Sequence, residues 1–216
     1  MARSVDSGLR ERKKQQTRAA LIAAALDLVE RQGYEQTTIE QIAESAEVSP
    51  RTVAHYFPTK NLLLLSLLDS FTAAVNVELV DIPVDVPPLQ ALLAANLTML
   101  AKAEVGVGTT MTPTRMATLL RIVNTTRSLQ LGAMRVRFGD TAAAMAGRLG
   151  TTTDDRSVVL ISAVWAGVTA TAWQSLRMNE TLDQMPVADL PDFMSRTLSA
   201  TYRDLAELTA DLTAGV

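Results

Sequence analysis

Apolar residues recur every three or four positions along most of the chain, which is the spacing of one face of an α-helix. The first such run covers about Lys14–Gln32 and is followed by Gly33, a residue type that readily ends helices in the left-handed conformation. The second run is short and follows Thr37 and Thr38, whose hydroxyls lie three residues before an acid and an amide, as in a capping box. The pattern therefore predicts a long helix and then a shorter one.

The segment SPRTVAHYFPTK, residues 49–60, predicts a third helix of about two turns. Ser49 can cap this helix, and Pro50 suits its first position because the missing N–H has no helical partner there. Phe57 precedes Pro58, and the residue before a proline is disfavoured in helical geometry. A helix this short is marginal in water by itself, so neighbouring helices must hold it through its apolar side chains.

Val53, together with Tyr56 or Phe57 one turn later, can supply that anchor. The opposite face then carries small and polar side chains, namely those of Arg51, Thr52, Ala54 and His55. Such a face, on a helix that follows a short helix and a tight turn, is typical of a helix-turn-helix that enters the major groove of DNA.

Helical periodicity continues to the end of the chain. Further helices are expected at 61–80, 89–102, in one or two pieces within 114–149, and at 154–178 and 187–212. Three prolines in DIPVDVPP break the first two of these apart, and the stretch GVGTTMTPTR is expected to form a loop. The fold class predicted is all-α.

Composition argues against most enzyme chemistry. The 216 residues include no cysteine and one histidine, so a disulfide, a thiolate nucleophile and a zinc-thiolate site are all excluded. No glycine-rich phosphate loop follows a predicted strand, and Asp154 and Asp155 are better explained as acids at a helix N-terminus. We expect no catalytic site, no metal and no cofactor. The N-terminus lacks the apolar core of a signal peptide and the apolar runs are short, so a cytoplasmic location is expected.

Residues 10–70 resemble the DNA-binding domain of the tetracycline-repressor (TetR) family of bacterial regulators. The shared markers occur in order: Gly33-Tyr34, Thr37-Thr38, Ile42-Ala43, Val48-Ser49, Thr52 and Tyr56-Phe57-Pro58-Thr59-Lys60. The resemblance implies a flexible arm at 1–9, a three-helix DNA-binding domain at 10–72 with its helix-turn-helix at 38–57, and a connector helix. A larger effector-binding and dimerisation domain at 73–216 is implied to follow. Glu47 departs from the family, which usually has glycine in the turn between the second and third helices.

The resemblance also implies roles for single residues. The positions that match DNA contacts are Thr37, Thr38, Ser49, Pro50, Arg51, Thr52, His55, Tyr56 and Lys60. Thr38, Tyr56 and Lys60 match phosphate contacts, whereas the residues on the third helix match the groove-facing surface. Arg51 has the donor fork that suits guanine. His55 can instead be a solvated or internally satisfied imidazole, and Tyr56 can be a core ring whose hydroxyl reaches outward.

The family further implies a homodimer that binds a palindromic operator and a small, largely apolar effector that releases it. Candidate pocket residues are Met99, Met116, Leu119, Leu120, Arg127, Met134, Phe138, Trp165 and Trp173. Candidate residues of the dimer interface are Val164, Val168, Phe193, Leu198, Tyr202 and Leu205. For each pocket residue, ordinary core packing is the alternative.

Two groups of basic residues have two interpretations each. Arg10, Arg12, Lys13, Lys14 and Arg18 form either a solvated helix start or a contact with a polyanion. Arg115, Arg121, Arg127, Arg135, Arg137 and Arg148 either are solvated or lie beside an apolar groove that accepts an acyl-CoA-like effector, as in one TetR subgroup that this region resembles. The rival functions are a DNA-binding activator and an all-helical carrier of apolar ligands without a DNA role.

Overall fold

The computed structural model describes residues 2–106, 112–178 and 185–214. Within these ranges the chain is helical and contains no strand, which confirms the predicted all-α class. The chain divides into two compact units, Met1–Leu67 and Leu68–Val216. The boundary lies inside the helix expected to be the connector helix. Each unit is described separately below.

The first unit contains helices α1 (Ala2–Gln32), α2 (Ile39–Ser45) and α3 (Pro50–Tyr56) and the start of α4 (Lys60–Val80). Helix α1 begins at Ala2 rather than near Lys14, so the segment expected to be a flexible arm is helical from its second residue onward. Burial begins only later: Leu21 is fully buried, whereas the described side chains before it are exposed or half-buried. The early turns of α1 therefore present their basic side chains to solvent.

The core of the first unit holds α3 in place despite its length. Helix α2 packs against both α1 and α3. The side chains of Leu21, Ile42 and Val53 are fully buried, and Phe57 is 5% exposed. Burying a side chain of this size contributes about 1.5–3 kcal/mol. The anchor of α3 is thus Val53 with Phe57, while Tyr56 is half-buried.

Side-chain caps fix where the short helices begin. The Thr38 hydroxyl accepts from the Gln41 N–H at 3.2 Å, and the Gln41 side chain accepts in return from the Thr38 N–H at 3.0 Å, which confirms the predicted capping box. Ser49 caps α3 by accepting from the Thr52 N–H at 3.1 Å, with Pro50 in the first turn as predicted. Because these caps satisfy backbone donors that would otherwise lack partners, the two helices start at defined residues.

The turn between α2 and α3 forces Glu47 into the left-handed region, with φ of 54°. A Cβ atom in this region is strained by about 1–2 kcal/mol. The backbone nevertheless closes the turn, since the Val48 N–H donates to the Ala43 carbonyl at 2.9 Å. The family glycine that Glu47 replaces would adopt this conformation without strain.

Replacing Glu47 with glycine is expected to raise the free energy of unfolding by about 0.5–1 kcal/mol, because the relief of strain exceeds the extra chain entropy of glycine. Denaturant unfolding followed by circular dichroism measures this change. Glu47→Ala is the matched control, since it removes the carboxylate but keeps the Cβ and should change stability little. A glycine variant no more stable than the alanine variant would contradict the strain argument.

In its described residues the second unit contains the rest of α4 and five further α-helices. They are α5 (Pro88–Val105), α6 (Pro113–Thr125), α7 (Arg127–Leu149), α8 (Arg156–Met178) and, after a 3-10 turn at Val187–Asp189, α9 (Leu190–Ala214). The region 114–149 thus forms two helices, which break at the extended residue Thr126. Helix α7 packs on α6 and α8, and α9 packs on α5 and α8. The core of this unit lies between these helices.

Two of the polar contacts in the second unit join segments that are distant in sequence. The Arg148 guanidinium, on α7, donates to the carbonyl of Ile82 at 2.9 Å and to that of Pro83, and so holds the segment between α4 and α5. The Lys102 ammonium donates to both carboxylate oxygens of Glu78 at 2.8 Å, and Glu78 is 8% exposed. An almost buried carboxylate needs such a partner to offset its desolvation.

Two helices, Lys60–Val80 and Arg156–Gln174, are long and apolar enough to meet the length and composition of a membrane span. The apolar windows of these helices are 53% and 44% buried inside the chain, respectively. The core helix of a globular protein meets the same criterion. Length and composition are therefore weak evidence for membrane insertion here.

Candidate nucleic-acid interface and ligand cavities

Helix α3 presents one polar face to solvent. Arg51, Ala54 and His55 are exposed, Thr52 is half-buried, and Val53 points into the core. The helix has 7 residues. An α-helix with its side chains is about 10–12 Å in diameter, which fits the major groove of B-DNA, about 12 Å wide. The outward face predicted from the sequence is the face that the fold exposes.

The polar side chains at the start of α3 are pre-arranged by local hydrogen bonds. The Ser49 and Thr52 hydroxyl oxygens lie 2.8 Å apart. Arg51 is exposed and makes no hydrogen bond or ion pair among the described residues, so the donors of its guanidinium are available to a partner. The ring of His55 meets that of Tyr56 edge to face, with 5.6 Å between centroids. His55 therefore combines an aromatic contact with an exposed position, as a groove-facing imidazole requires.

The two threonines before α2 differ in accessibility. Thr38 is exposed, and as the cap of α2 its hydroxyl accepts a hydrogen bond while its own proton stays available for a phosphate. Thr37 is 1% exposed, and its hydroxyl donates to the Gly33 carbonyl at 2.8 Å. The Thr37 side chain therefore stabilises the turn after α1, and its contact with DNA stays a prediction.

Lys60 is engaged within the first unit. Its ammonium donates to the carbonyls of Tyr34 at 2.7 Å and Thr37 at 2.9 Å, and it lies 4.0 Å from the centroid of the Tyr34 ring. The Tyr34 hydroxyl donates to the Asn61 side chain, and burial, helped by Glu35, raises the pKa of this tyrosine, so the donor stays protonated. Lys60 and Tyr34 thus tie the turn between α1 and α2 to the start of α4.

This bracing limits what Lys60 can offer to DNA. An ammonium group has three donors, and two of those of Lys60 are already directed at backbone carbonyls. A phosphate can use the third donor and the positive charge. The sequence pattern identified Lys60 as a phosphate contact but gave no sign of its structural role, because that role depends on where the α1–α2 turn lies in space.

The second unit contains three adjoining cavities, and all three are lined by Arg137 and Trp173. The sequence-predicted pocket residues that line at least one of them are Met116, Leu119, Leu120, Met134, Trp165 and Trp173. Concave sites lined by apolar and aromatic side chains with a few polar groups are typical of small-molecule binding.

Two predicted pocket residues, Met99 and Phe138, do not line these cavities. Met99 is 1% exposed and is a core residue of α5, and neither Met99 nor half-buried Phe138 lines the three cavities. Arg127 begins α7, but its side chain lies outside the described residues. Whether a side chain of a packed helix lies in the core or lines a cavity depends on the residues around it. The spacing of apolar residues in the sequence does not show which residues those are.

Phe71 and Arg137 line the cavities but were missing from the predicted pocket. For Arg137 a signal was present, since it falls in an i+4 series with Leu129, Ala133 and Met145. Those three residues are at most 1% exposed. A charged residue in the middle of such a buried series marks a position where the interior is polar or hollow.

The predicted interface residues also divide in two groups. Val168 is 5% exposed and Leu198 is 0% exposed, so both lie in the core of their own chain, and their contact with a partner stays a prediction. Val164, Phe193, Tyr202 and Leu205 are half-buried and remain accessible. Exposed apolar side chains lie nearby at Leu160 and Leu208, which are 62% and 68% exposed.

Among the side chains described by the structure, no group of three or more histidines, aspartates and glutamates lies close enough to hold a metal ion.

The pKa values of Asp154 and Asp155 lie below the usual value for aspartate. Hydrogen bonds cause the shift: Thr152 donates to Asp154, and Ser157 donates to Asp155. Asp155 precedes α8 and accepts from the Ser157 N–H at 2.8 Å, so it caps the helix as the sequence predicts.

Comparison with known sequences agrees with the geometry of the first unit. Residues 21–67 match the family described as "Bacterial regulatory proteins, tetR family". Over 188 residues the chain is 33% identical to the HTH-type transcriptional regulator TcmR of Streptomyces glaucescens, and the match covers 84% of this chain and 83% of the relative. The regulator RutR of Escherichia coli K12 is 39% identical over 62 residues, 29% of either chain.

Solved structures share the fold of the whole chain. NalD, the secondary repressor of the MexAB-OprM multidrug efflux pump in Pseudomonas aeruginosa, is 16% identical, with a TM-score of 0.51 over 88% of this chain and 96% of that one. FadR of Thermus thermophilus, in complex with lauroyl-CoA, is 17% identical, with a TM-score of 0.51 over 86% and 93%. The sequence match to TcmR spans most of both chains and the family match covers the helix-turn-helix; the chain therefore belongs to the tetR family of bacterial regulatory proteins.

Proposed function

We propose that this ligand-responsive, DNA-binding transcriptional regulator acts as a cytoplasmic homodimeric repressor, which binds a palindromic operator and leaves it when an apolar effector binds. The observation that carries the proposal is the division of α3 into two faces. Val53 is buried with Phe57, while Arg51 and His55 project outward without internal ion pairs among the described residues. A helix anchored and exposed in this way suits insertion into the major groove.

Contacts to bases are assigned to the outward face of α3. Arg51 can donate two parallel hydrogen bonds to guanine, Thr52 can contact a thymine methyl group, and His55 can reach a base or a phosphate. Ser49 and Pro50, exposed at the N-terminus of the same helix, lie where backbone N–H groups and a hydroxyl can approach the sugar-phosphate backbone. These residues would determine sequence preference.

Contacts to phosphates are assigned to residues around α3. Thr38 keeps a hydroxyl proton, Lys60 keeps one donor, and Tyr56 is half-buried with its ring against His55. The exposed basic side chains of α1, among them Arg12, Lys13 and Lys14, add positive charge in the same unit. Phosphate contacts of this kind fix register and strengthen binding to any sequence.

Dimerisation is assigned to the exposed apolar faces of α8 and α9. On α8, Leu160, Ala163 and Gly167 are exposed and follow one another at helical spacing, which leaves a narrow surface for close approach of a second helix. On α9, Leu208 is exposed and Leu205 half-buried. A second copy of the chain packed there would place two α3 helices on one palindromic site.

Effector binding is assigned to the cavities around Trp173. A ligand that binds more tightly to the conformation with low DNA affinity shifts the population toward that conformation, which is sufficient for release. An acyl-CoA-like effector has less support from the structure, because the arginines do not gather at one groove. Arg115, Arg121 and Arg135 are exposed at the surface, and Arg148 is bound to backbone carbonyls.

Selection of bound sequences from a random duplex pool tests the proposed function. We expect enrichment of an inverted repeat whose half-sites are about one helical turn apart, and affinity that falls steeply with salt. An activator would bind such a site equally, and reporter transcription in the presence and absence of the protein separates it from a repressor. No enrichment, together with no salt-dependent binding of random DNA, would leave the apolar-ligand carrier as the function.

A further inference from the structure

Arg137 lies on a face of α7 whose neighbouring residues, at i+4 spacing, are buried in the core. Leu129 and Ala133 precede it at i+4 spacing and Met145 follows eight residues later, and all three are essentially buried. A guanidinium at such depth is costly unless a carboxylate or other acceptors compensate for the lost water. An uncompensated cation in this place therefore requires an explanation.

Compensation is absent among the described residues. No described side chain forms a hydrogen bond or ion pair with Arg137, and the carboxylate of Asp140, one turn further along α7, accepts instead from the Thr72 hydroxyl. Burial lowers the pKa of Arg137 to about 10, and no neighbouring carboxylate raises it again. The group is still charged at neutral pH, so the interior of the second unit contains a positive charge with unused donors.

The Arg137 side chain nevertheless keeps intermediate exposure, because it faces hollow space. It lines all three adjoining cavities, and so does Trp173. Phe71 lines two of them and Trp165 one. Three aromatic side chains thus lie among the mainly aliphatic and polar residues that line the cavities around the cation.

Building on the proposed effector-controlled function, we propose that the effector is a planar aromatic molecule with one anionic oxygen group, a carboxylate or a phenolate, which pairs with Arg137. The guanidinium fork matches a carboxylate in two parallel hydrogen bonds, and charge-assisted bonds of this kind are the strong ones. Flat side chains of Phe71, Trp165 and Trp173 offer surfaces on which rings pack in offset or edge-to-face arrangements. The ligand supplies a counter-charge that the described residues do not provide.

Titration calorimetry of the full chain with matched probes tests the pairing. The probes are 2-naphthoate and its neutral analogue 2-naphthamide, with octanoate and octanamide as the non-aromatic pair. We expect 2-naphthoate to bind about 10-fold or more tightly than 2-naphthamide and more tightly than octanoate. In Arg137→Met this preference for the anion is expected to disappear, while Arg135→Met, an exposed neighbour on the same helix, retains it.

The stability of the apoprotein provides a second measurement. Because Arg137 has no hydrogen-bond or ion-pair partner among the described residues, its replacement by methionine should leave the melting temperature equal to or above that of the wild type. Saturating 2-naphthoate should raise the melting temperature of the wild type and not that of Arg137→Met. Any one of four results would overturn the proposal. Three concern the wild type: equal affinity for 2-naphthoate and 2-naphthamide, no binding of either naphthyl probe, or tighter binding of octanoate than of 2-naphthoate. The fourth is a preference for the anion that persists in Arg137→Met.

Failure of this inference is distinguishable from failure of the proposed function. Calorimetry with the probes involves no DNA, whereas the mobility shift of the selected operator by apo Arg137→Met involves no ligand. If Arg137→Met binds the operator but the wild type shows no preference for the anionic probe, only the proposed class of ligand is contradicted. Naphthoate binding without any operator binding would contradict the regulator and leave the anion site intact.

Discussion

Arg51→Ala is expected to reduce affinity for the selected operator by at least about 30-fold, since each good bidentate contact to a base contributes about 1–3 kcal/mol and a palindrome contains two of them. The loss follows from the exposed position of Arg51 on α3, where its guanidinium has no partner among the described side chains. Circular dichroism and the melting temperature should stay unchanged, because the side chain is outside the core. Mobility shifts on the selected operator and on random DNA measure the effect.

Two further variants show whether the contact is to a base. Arg51→Lys keeps the charge but lacks the planar fork, so it should bind random DNA like the wild type and lose most of the preference for the operator. Arg203→Ala removes an exposed arginine of α9 and should bind the operator normally. Wild-type operator affinity in Arg51→Ala would rule out α3 as the helix that contacts bases.

Gly167→Leu is expected to convert the dimer to monomers, with a dissociation constant raised about 100-fold. Gly167 is exposed on α8, and a Cβ added there meets no atom within 4 Å of its own chain. The larger side chain therefore fits the isolated chain, and leucine has the higher helix propensity by up to about 1 kcal/mol. In a closely packed two-fold interface it would occur twice, and overpacking costs about 1–3 kcal/mol for each copy.

Sedimentation velocity over a range of protein concentrations measures the change in association. The matched control is Gly147→Leu, which alters an exposed glycine of α7 whose added Cβ also meets nothing within 4 Å. It should remain dimeric. Operator affinity should fall with dimerisation in Gly167→Leu, because a monomer contacts one half-site. A Gly167→Leu protein that sediments as a dimer would show that this stripe of α8 is not the interface.

The first unit could be predicted almost completely from the sequence. The information there is local: Thr38 and Ser49 are caps, Pro50 fixes the first turn of α3, and Gly33 ends α1, and each acts within four residues of its own position. The strained turn at Glu47 was also predictable, because the turn geometry demands a positive φ whichever residue is present. The helices and the outward face of α3 follow from these local constraints.

The helices of the second unit could be predicted from the sequence, but the residues that line its cavities could not. Met116 and Met99 have similar patterns in the sequence, yet the first lines a cavity and the second is packed in the core. Val168 and Leu198 looked like interface residues, but other helices of the same chain cover them. Apolar periodicity shows that a helix face is buried. It does not show which residues cover that face, because those residues belong to helices far away in sequence.

The sequence by itself determined the class of fold, the polar surface of α3 and most helix boundaries within a few residues, because caps, turns and helical periodicity are properties of neighbouring residues. The start of α1 at Ala2, twelve residues before the predicted start, is the exception. Only the tertiary structure decided that Thr37 is internal, that Lys60 braces the α1–α2 turn and that Arg137 faces hollow space. These three outcomes depend on which distant side chains and carbonyls surround a group, and packing in three dimensions sets those surroundings.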